Sequence, residues 1–217
     1  MPTSNLSQVI KIMELILMTQ PKSLLDVGVG FGKYGFLTRE YLELWDGSNQ
    51  YNDWKRRIDG IEIFPEYLTP VHDYIYDNVY IGNALEILPT LSEKYDLILL
   101  VDIIEHFTFE EGLMLIKSTI EHGKNVLIST PKHMAMQGSA FGNPFETHRF
   151  QWTKTDFDIF DNKFFIRDRD AIILFMGEFT KILHKSRFNR AIGKRLPFLI
   201  RTLRTIKLML KSLAFKQ

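Results

Sequence analysis

Cysteine is absent from the 217 residues of this chain, which excludes disulfide bonds and thiolate chemistry. No apolar run reaches the roughly 18 residues that a membrane-spanning helix requires. Residues 1–20 also lack the basic start and the cleavage site of a secretory signal peptide. These absences argue against a membrane-embedded fold and predict a cytoplasmic protein.

Acidic residues are missing from the C-terminal part of the chain. Residues 179–217 contain 11 Lys and Arg but no Asp or Glu, whereas residues 1–178 contain all 26 acidic residues and only 16 basic ones. A sign change this sharp indicates a boundary between two differently charged units. We therefore predict one domain at 1–178 and a basic helical appendage at 179–217.

The basic appendage has the pattern of an amphipathic helix. Its cationic residues recur at helical spacing beside a broad apolar face, in the set Arg201, Arg204, Lys207 and Lys211 against Leu199, Leu203, Ile206, Leu210 and Leu213. Such a pattern is typical of helices that lie on acidic lipid, so we predict docking on an anionic membrane face. Packing on the acidic domain of its own or a partner chain is an alternative. RNA binding is a third, disfavoured because few aromatic residues are present for base stacking.

Strand and helix patterns alternate along the first domain. We predict strands at 22–28, 57–64, 78–82, 95–101 and 125–130, helices at 6–18, 32–44, 66–76, 84–91 and 109–122, a further helix near 153, and a final hairpin at 163–167 and 171–176. The segment YDLILLV at 95–101 is almost continuously apolar, as in a parallel strand covered on both faces. The predicted fold is a Rossmann-like, doubly wound seven-stranded α/β sheet, mostly parallel with an antiparallel edge hairpin.

A glycine-rich turn follows the first predicted strand. Asp26 precedes the spaced glycines Gly28, Gly30 and Gly32, and glycine lets the backbone turn tightly and approach a ligand without a Cβ. The turn therefore predicts a nucleotide-like cofactor. Gly30 and Gly32 with Gly35 also satisfy the dinucleotide pattern, so NAD remains a candidate. The position of Asp26 and the glycine spacing favour S-adenosylmethionine.

Polar residues follow the next three strands, at the edge where ligands of open α/β sheets bind. Glu62 ends the second strand and can accept hydrogen bonds from both ribose hydroxyls. After the third strand, Asn83 with Ala84 can contact adenine, although Asn83 is equally suited to cap a helix. Asp102 follows the fourth strand, where its carboxylate can hold the ammonium group of the cofactor. We expect these residues to form an acidic cofactor pocket.

The ordered motifs DVGVGFG, GIEIF, GNALEILP, YDLILLVDIIEH and VLISTP resemble class I S-adenosylmethionine-dependent methyltransferases over roughly residues 20–178. The resemblance implies that S-adenosylmethionine is the cofactor, with its methionine part on the glycine loop, its ribose on Glu62 and its adenine at Asn83 and Ala84. Asn83 departs from the aspartate that many relatives carry. The Asn/Asp-Pro-Pro-Tyr/Phe loop of enzymes that methylate DNA amines is absent. We therefore do not expect a nucleic acid to be the acceptor.

The loop after the fifth strand carries the candidate catalytic residues. Asn143, Glu146, His148 and Trp152 resemble an Asn-Pro-x-Glu-x-His-x-x-x-Trp pattern of bacterial small-molecule and glycan-pathway methyltransferases. Glu146 could orient the His148 imidazole, and His148 could take the proton of an acceptor hydroxyl. The alternative is a structural loop histidine. The sequence thus predicts methyl transfer to a small-molecule or glycan-type acceptor, at a hydroxyl.

Three competing interpretations remain. Asp102, Glu105 and His106 could bind a metal, but no His-x-x-x-His pair or closed ligand set is present, so we predict none. An NAD-dependent oxidoreductase needs an acid about 20 residues beyond its glycine loop, whereas Glu62 lies 27 residues after Gly35. A non-catalytic binding module with the same fold is the third possibility, because fold alone does not establish activity.

Overall fold

The computed structural model describes residues 4–47, 49–133 and 137–185. Its strands are β1 (Ser23–Val27), β2 (Arg57–Glu62), β3 (Asn78–Ile81), β4 (Leu97–Val101), β5 (Asn125–Pro131), β6 (Lys163–Ile166) and β7 (Ala171–Gly177). They form one sheet in the order β3-β2-β1-β4-β5-β7-β6.

The first five strands are parallel, and β7 is antiparallel to both β5 and β6. This confirms the predicted Rossmann-like sheet with an antiparallel edge hairpin. After β1 the chain adds β2 and β3 toward one edge of the sheet, and after β4 it adds β5 toward the other edge. The direction in which strands are added therefore reverses between β1 and β4. Ligands of open α/β sheets bind in the crevice at such a reversal.

Within the described residues, six α-helices accompany the sheet: α1 (Leu6–Thr19), α2 (Lys33–Arg39), α3 (Pro70–Ile75), α4 (Ala84–Ile87), α5 (Phe109–His122) and α6 (Thr180–Lys185). The bounds of α5 agree with the prediction because Thr108 and Glu111 form a capping box at its start. The side chain of Asn5 likewise caps α1.

Three predicted helices differ in detail. The helix expected at 32–44 changes from α2 to a π-helical turn at Glu40–Leu44. The helix expected at 66–76 divides into a 3₁₀ turn at Pro65–Tyr67 and α3, because Pro70 has no N–H group and starts a new helix after its N-cap. The segment after Thr153 forms a short 3₁₀ turn at Lys154–Phe157.

Two apolar cores lie on the two faces of the sheet. Side chains of β4 alternate between them, since Leu99 packs with α1 and Leu100 packs with α4 and α5. Every residue of β4 is buried, as predicted for a central strand. The resulting helix–sheet–helix layering leaves the carboxyl edge of the sheet to build a site.

The apolar core extends beyond residue 178. Leu183 of α6 is fully buried in the core that contains α1. The rest of the predicted basic appendage, at 186–217, lies outside the described residues, so its helix, its membrane docking and the division of the chain at 178 stay predictions. Within the described ranges, no helix combines the length and the apolar character needed to cross a bilayer.

A close contact in the second core yields a test of the packing. A Cβ built on Gly112 of α5 would lie 2.4 Å from Cζ2 of the buried Trp152, whose indole N–H donates to the Ile104 carbonyl at 3.0 Å. We expect Gly112→Val to lower the free energy of unfolding by about 1–3 kcal/mol, because the indole must move to admit the side chain. Chemical denaturation measures this change.

Gly138→Val is the matched control, since no heavy atom lies within 4 Å of a Cβ built there. The control should change stability by no more than about 0.5 kcal/mol. Equal stability of the two variants would contradict the described packing of Trp152.

Candidate functional site

A cavity of about 630 Å³ opens at the carboxyl ends of β1 and β4. Its lining combines most of the residues predicted from sequence, namely Gly28, Gly30, Glu62, Asn83, Ala84, Asp102, Glu146 and His148. Asp26 and Gly32 are not part of that lining. The fold therefore brings the candidate cofactor residues and the candidate catalytic residues into one space.

The glycine loop has a backbone that other residues rarely adopt. Gly28, Gly30 and Gly32 have φ angles of 75°, 52° and 78°, which favour glycine. A Cβ on Gly28 would also lie 2.2 Å from Cδ1 of Ile103, in the segment that follows β4. Glycine at position 28 thus allows the loops after β1 and β4 to touch.

Glu62 is held by the backbone on both sides. One carboxylate oxygen accepts from the Gly30 N–H and the other from the Phe64 N–H, each at 2.9 Å. Burial raises the pKa of Glu62, and these hydrogen bonds oppose the rise. The carboxylate is therefore fixed in orientation against the glycine loop, where it lines the cavity.

Asp26 lies under the glycine loop. Its carboxylate accepts a hydrogen bond of 2.8 Å from the Tyr76 hydroxyl. Complete burial raises the pKa of Asp26 to about 7, although the bond from Tyr76 opposes the rise. Because Asp26 is not among the residues that line the cavity, its predicted part in cofactor binding stays a prediction.

Asp102 is held by the N-terminal helix. Its φ angle is 53°, and its carboxylate accepts from Ser4 Oγ at 2.7 Å and from Gln8 Nε2 at 2.6 Å. The Tyr34 hydroxyl in turn donates to Ser4 at 3.0 Å. Neither Ser4 nor Gln8 was predicted as a site residue, although Gln8 is a polar residue on the buried face of an amphipathic helix and so carried a detectable signal.

The third strand ends at a capped helix. The side-chain oxygen of Asn83 accepts from the Leu85 N–H at 3.0 Å and caps α4. Asn83 and Ala84 also line the cavity. The capping interpretation is thus observed, and an adenine contact through the remaining groups of Asn83 stays a prediction.

The opposite wall of the cavity carries a carboxylate and two imidazoles. Glu105, His106 and His148 place candidate ligand atoms within 4.8 Å of one another, and the two imidazole rings are 5.1 Å apart at their centroids. Glu105 and His106 are adjacent in the sequence, but His148 is 42 residues after His106, so the sequence patterns did not predict that the three residues meet.

Glu146 lies in the same wall and has an aromatic partner. Its carboxylate accepts a hydrogen bond of 2.9 Å from the Tyr67 hydroxyl. The Gln137 side chain donates to the backbone carbonyl of Glu146 at 2.8 Å, and the His148 N–H donates to the Gln137 carbonyl at 3.0 Å. These bonds give the loop of the predicted catalytic residues a defined shape.

Buried acids dominate the electrostatics of the cavity. Burial raises the pKa of Glu62, Asp102 and Glu105. Burial lowers the pKa of Lys33, a lysine that also lines the cavity. A pocket with this excess of carboxylates attracts cationic ligands.

The buried Asp26 gives a pH-dependent test. Its pKa of about 7 in the folded chain exceeds the value of about 3.9 in an unfolded chain, so the folded state binds the extra proton. Between pH 4 and pH 7 this group therefore lowers stability as the pH rises. As the pH rises over that range, we expect the free energy of unfolding, measured by urea denaturation, to fall less for Asp26→Asn than for wild type.

Asp73→Asn, at an exposed position, is the control and should retain the wild-type pH dependence. A pH dependence of Asp26→Asn equal to that of wild type would contradict the raised pKa.

Comparison with known proteins supports the fold. No protein-family model and no curated protein sequence matches the chain. Solved structures do match. One is the N-terminal domain of EvdMO1, crystallised with S-adenosylhomocysteine and D-fucose, at a TM-score of 0.57 and 13% identity over 80% of this chain and 84% of that one.

Two further structures have similar scores. The magnesium protoporphyrin IX methyltransferase of Synechocystis PCC 6803, with bound S-adenosylmethionine, has a TM-score of 0.52 and 12% identity over 78% of this chain and 77% of that one. An O-methyltransferase family protein of Burkholderia thailandensis has a TM-score of 0.57 and 12% identity over 79% of this chain. The present chain spans only 55% of that protein and 56% of a similar protein from Nostoc punctiforme.

These structures have the same class of sheet, and their descriptions agree with the resemblance that the sequence motifs indicated. At identities of 12–13% the agreement concerns the fold. The chain has the fold of the class I S-adenosylmethionine-dependent methyltransferases.

Proposed function

We propose that the chain is an S-adenosylmethionine-dependent methyltransferase whose acceptor is a hydroxyl group of a small-molecule or glycan-type compound. The observation that carries this proposal is that the glycine loop with Glu62 and the cluster of Glu105, His106 and His148 line the same cavity. A methyltransferase needs such a space because the methyl group of the cofactor and the acceptor atom must lie in line with each other.

The cavity fits the cofactor in size and charge. Its 630 Å³ falls in the range of about 300–1,000 Å³ that small-molecule and cofactor sites occupy. Glu62 accepts one backbone N–H at each oxygen, and each oxygen can accept a second bond. Both ribose hydroxyls can therefore bind to it.

The other predicted cofactor contacts come mostly from residues that line the same cavity. Gly28 and Gly30 would hold the methionine part, Asn83 and Ala84 the adenine, and Asp102 the ammonium group. Asp26 would support the glycine loop from below, and Gly32 would shape its exit into α2. The acidic lining suits a cofactor that carries a positive charge.

When bound, the cofactor supplies a methyl group on a positively charged sulfur. The residues of the cavity would hold the acceptor oxygen in line with that methyl group, and a base on the chain would take the hydroxyl proton. The chain contributes by aligning the two partners and excluding water, effects worth up to about 7–11 kcal/mol for well-oriented reactants.

His148 is the residue to which we assign activation of the acceptor. A general base that removes the hydroxyl proton accelerates such a reaction by about 10²–10⁴-fold. Glu146 lies in the same loop, two residues earlier, and its bond from Tyr67 fixes that part of the wall. We keep the predicted role of Glu146 as the positioning partner of His148.

The mouth of the cavity is aromatic, which supports a ring-shaped acceptor. Phe31, Phe141 and Phe145 line the cavity and are exposed. Exposed aromatic rings can stack on the apolar face of a sugar or on another ring. The presence of D-fucose in the EvdMO1 structure is consistent with a sugar acceptor for this chain as well.

Cofactor binding is the first test of the proposed function. In calorimetry, S-adenosylmethionine or S-adenosylhomocysteine should bind and NAD should not. Glu62→Ala and Gly30→Val should each weaken the binding at least about tenfold, because hydrogen bonds to a buried charged group contribute about 1.5–3 kcal/mol and Gly30 has a positive φ that valine resists.

Glu66→Ala, at an exposed position, should bind the cofactor as wild type does. Tight binding of NAD in place of S-adenosylmethionine would instead support the oxidoreductase. Unchanged cofactor affinity in both site variants would contradict the assigned contacts.

Turnover tests the acceptor side. With a panel of hydroxyl-bearing acceptors, formation of S-adenosylhomocysteine should fall about 10²-fold or more in His148→Ala, whereas cofactor affinity stays near wild type. His122→Ala, at the remote end of α5, is the matched control and should keep wild-type turnover. Equal loss of cofactor affinity and turnover in His148→Ala would place His148 in a structural role.

A further inference from the structure

We propose that Glu105, His106 and His148 bind a divalent metal ion in the acceptor half of the cavity. This inference rests on the proposed function and refines it, because it makes His148 a ligand of an ion that activates the acceptor. The sequence prediction of no metal site considered spacing along the chain, whereas the fold joins residues from two separate loops.

The distances suit one shared ion. The candidate ligand atoms of the three residues all lie within 4.8 Å of one another. Metal–ligand bonds of about 2.0–2.2 Å allow two ligands of one ion to be up to about 4.4 Å apart. Side-chain adjustments of a few tenths of an ångström therefore suffice to close the set around an ion.

The ligand-bearing loops are fixed to each other by backbone hydrogen bonds. The Glu105 carbonyl accepts from the Arg149 N–H at 2.8 Å and from the Phe150 N–H at 3.2 Å. The segment that carries His148 is thereby tied to the 3₁₀ turn Ile104–His106 that carries the other two ligands. Such a scaffold positions the ligands before any ion binds.

Outer contacts orient the individual ligands. His106 Nδ1 lies 3.2 Å from the Thr147 carbonyl, which can only accept, so Nδ1 carries the hydrogen and Nε2 of the neutral ring carries the lone pair. Glu105 accepts a bond of 3.0 Å from the Thr130 hydroxyl. Metal-binding histidines and carboxylates usually have such second partners.

The surrounding charge favours a cation. Asp102 and Glu146 also line the cavity, and Glu105 and Glu146 are at most 8% exposed. A divalent ion would offset this concentration of buried carboxylates. Two imidazoles with one carboxylate suit Mn²⁺, Fe²⁺, Co²⁺ or Zn²⁺, whereas Mg²⁺ and Ca²⁺ prefer sites made of oxygen.

An ion with three protein ligands keeps open positions for the acceptor. A hydroxyl bound there becomes more acidic and gives its proton to water, and the resulting alkoxide forms the C–O bond as the C–S electron pair passes to sulfur. This arrangement needs no free histidine base. It also favours acceptors with two adjacent hydroxyls, which can bind one ion together.

The binding test uses the full chain, freed of metal with a chelator and then titrated with Co²⁺. Histidine ligands should produce visible absorption bands that saturate at about one ion per chain. Glu105→Gln, His106→Asn and His148→Asn should each weaken Co²⁺ binding about 10-fold or more, while His122→Asn should bind as wild type does. Absence of saturable bands, or wild-type affinity in the three site variants, would overturn the proposal.

The turnover test separates this proposal from the proposed function. Calorimetry of S-adenosylmethionine on the metal-free chain tests the cofactor assignment alone, since the ion lies on the acceptor wall. With an acceptor that is methylated, metal-free wild type should lose turnover to the level of His148→Ala and regain it with Co²⁺ or Mn²⁺. Full turnover of the metal-free chain would overturn the proposed metal site and leave His148 as a general base.

Discussion

The close approach of the loops after β1 and β4 is the constraint on which the site depends. Gly28 has no Cβ, and the side chain of Ile103 occupies the space that a Cβ would fill. This contact lies where the strand order reverses. The glycine loop, Asp102 and Glu105 all line the cavity beside this contact. A larger residue at position 28 would push the loops after β1 and β4 apart.

Burial of carboxylates is the energetic cost of this arrangement, since an unpaired buried charge is strongly unfavourable. The structure offsets that cost with hydrogen bonds from several elements. Glu62 uses backbone N–H groups, Asp26 uses the Tyr76 hydroxyl, and Asp102 uses Ser4 and Gln8. Because Asp102 depends on residues at the start of α1, the N-terminal helix belongs to the site as well as to the core.

Sequence patterns predicted the sheet, and they predicted that Glu62, Asn83 and Asp102 share one edge of it, because both predictions depend on local features. The apolar run of β4 and the capping box before α5 mark their own elements, and polar residues at the ends of parallel strands must share one edge. Gln8 meets Asp102, and His106 meets His148, through packing between segments that are distant in the sequence. A single sequence does not show which distant segments pack together, so these contacts could not be predicted. The π-helical turn after Arg39 also depends on tertiary contacts, since the buried Arg39 guanidinium bonds to both Glu43 and Asp77.

The part of the cavity lining that carries His148 differs from the part that carries Glu62 in how it is held. Glu62 and Asp26 depend on their own side-chain hydrogen bonds, so replacing them also disturbs the glycine loop. The loop of His148 is held by side-chain bonds at Glu146 and by backbone bonds, which link Gln137 to His148 and Glu105 to Arg149 and Phe150. A substitution of the His148 side chain leaves those backbone bonds in place. A loss of turnover at this position, with cofactor affinity near wild type, would therefore report on the imidazole rather than on the backbone of the loop.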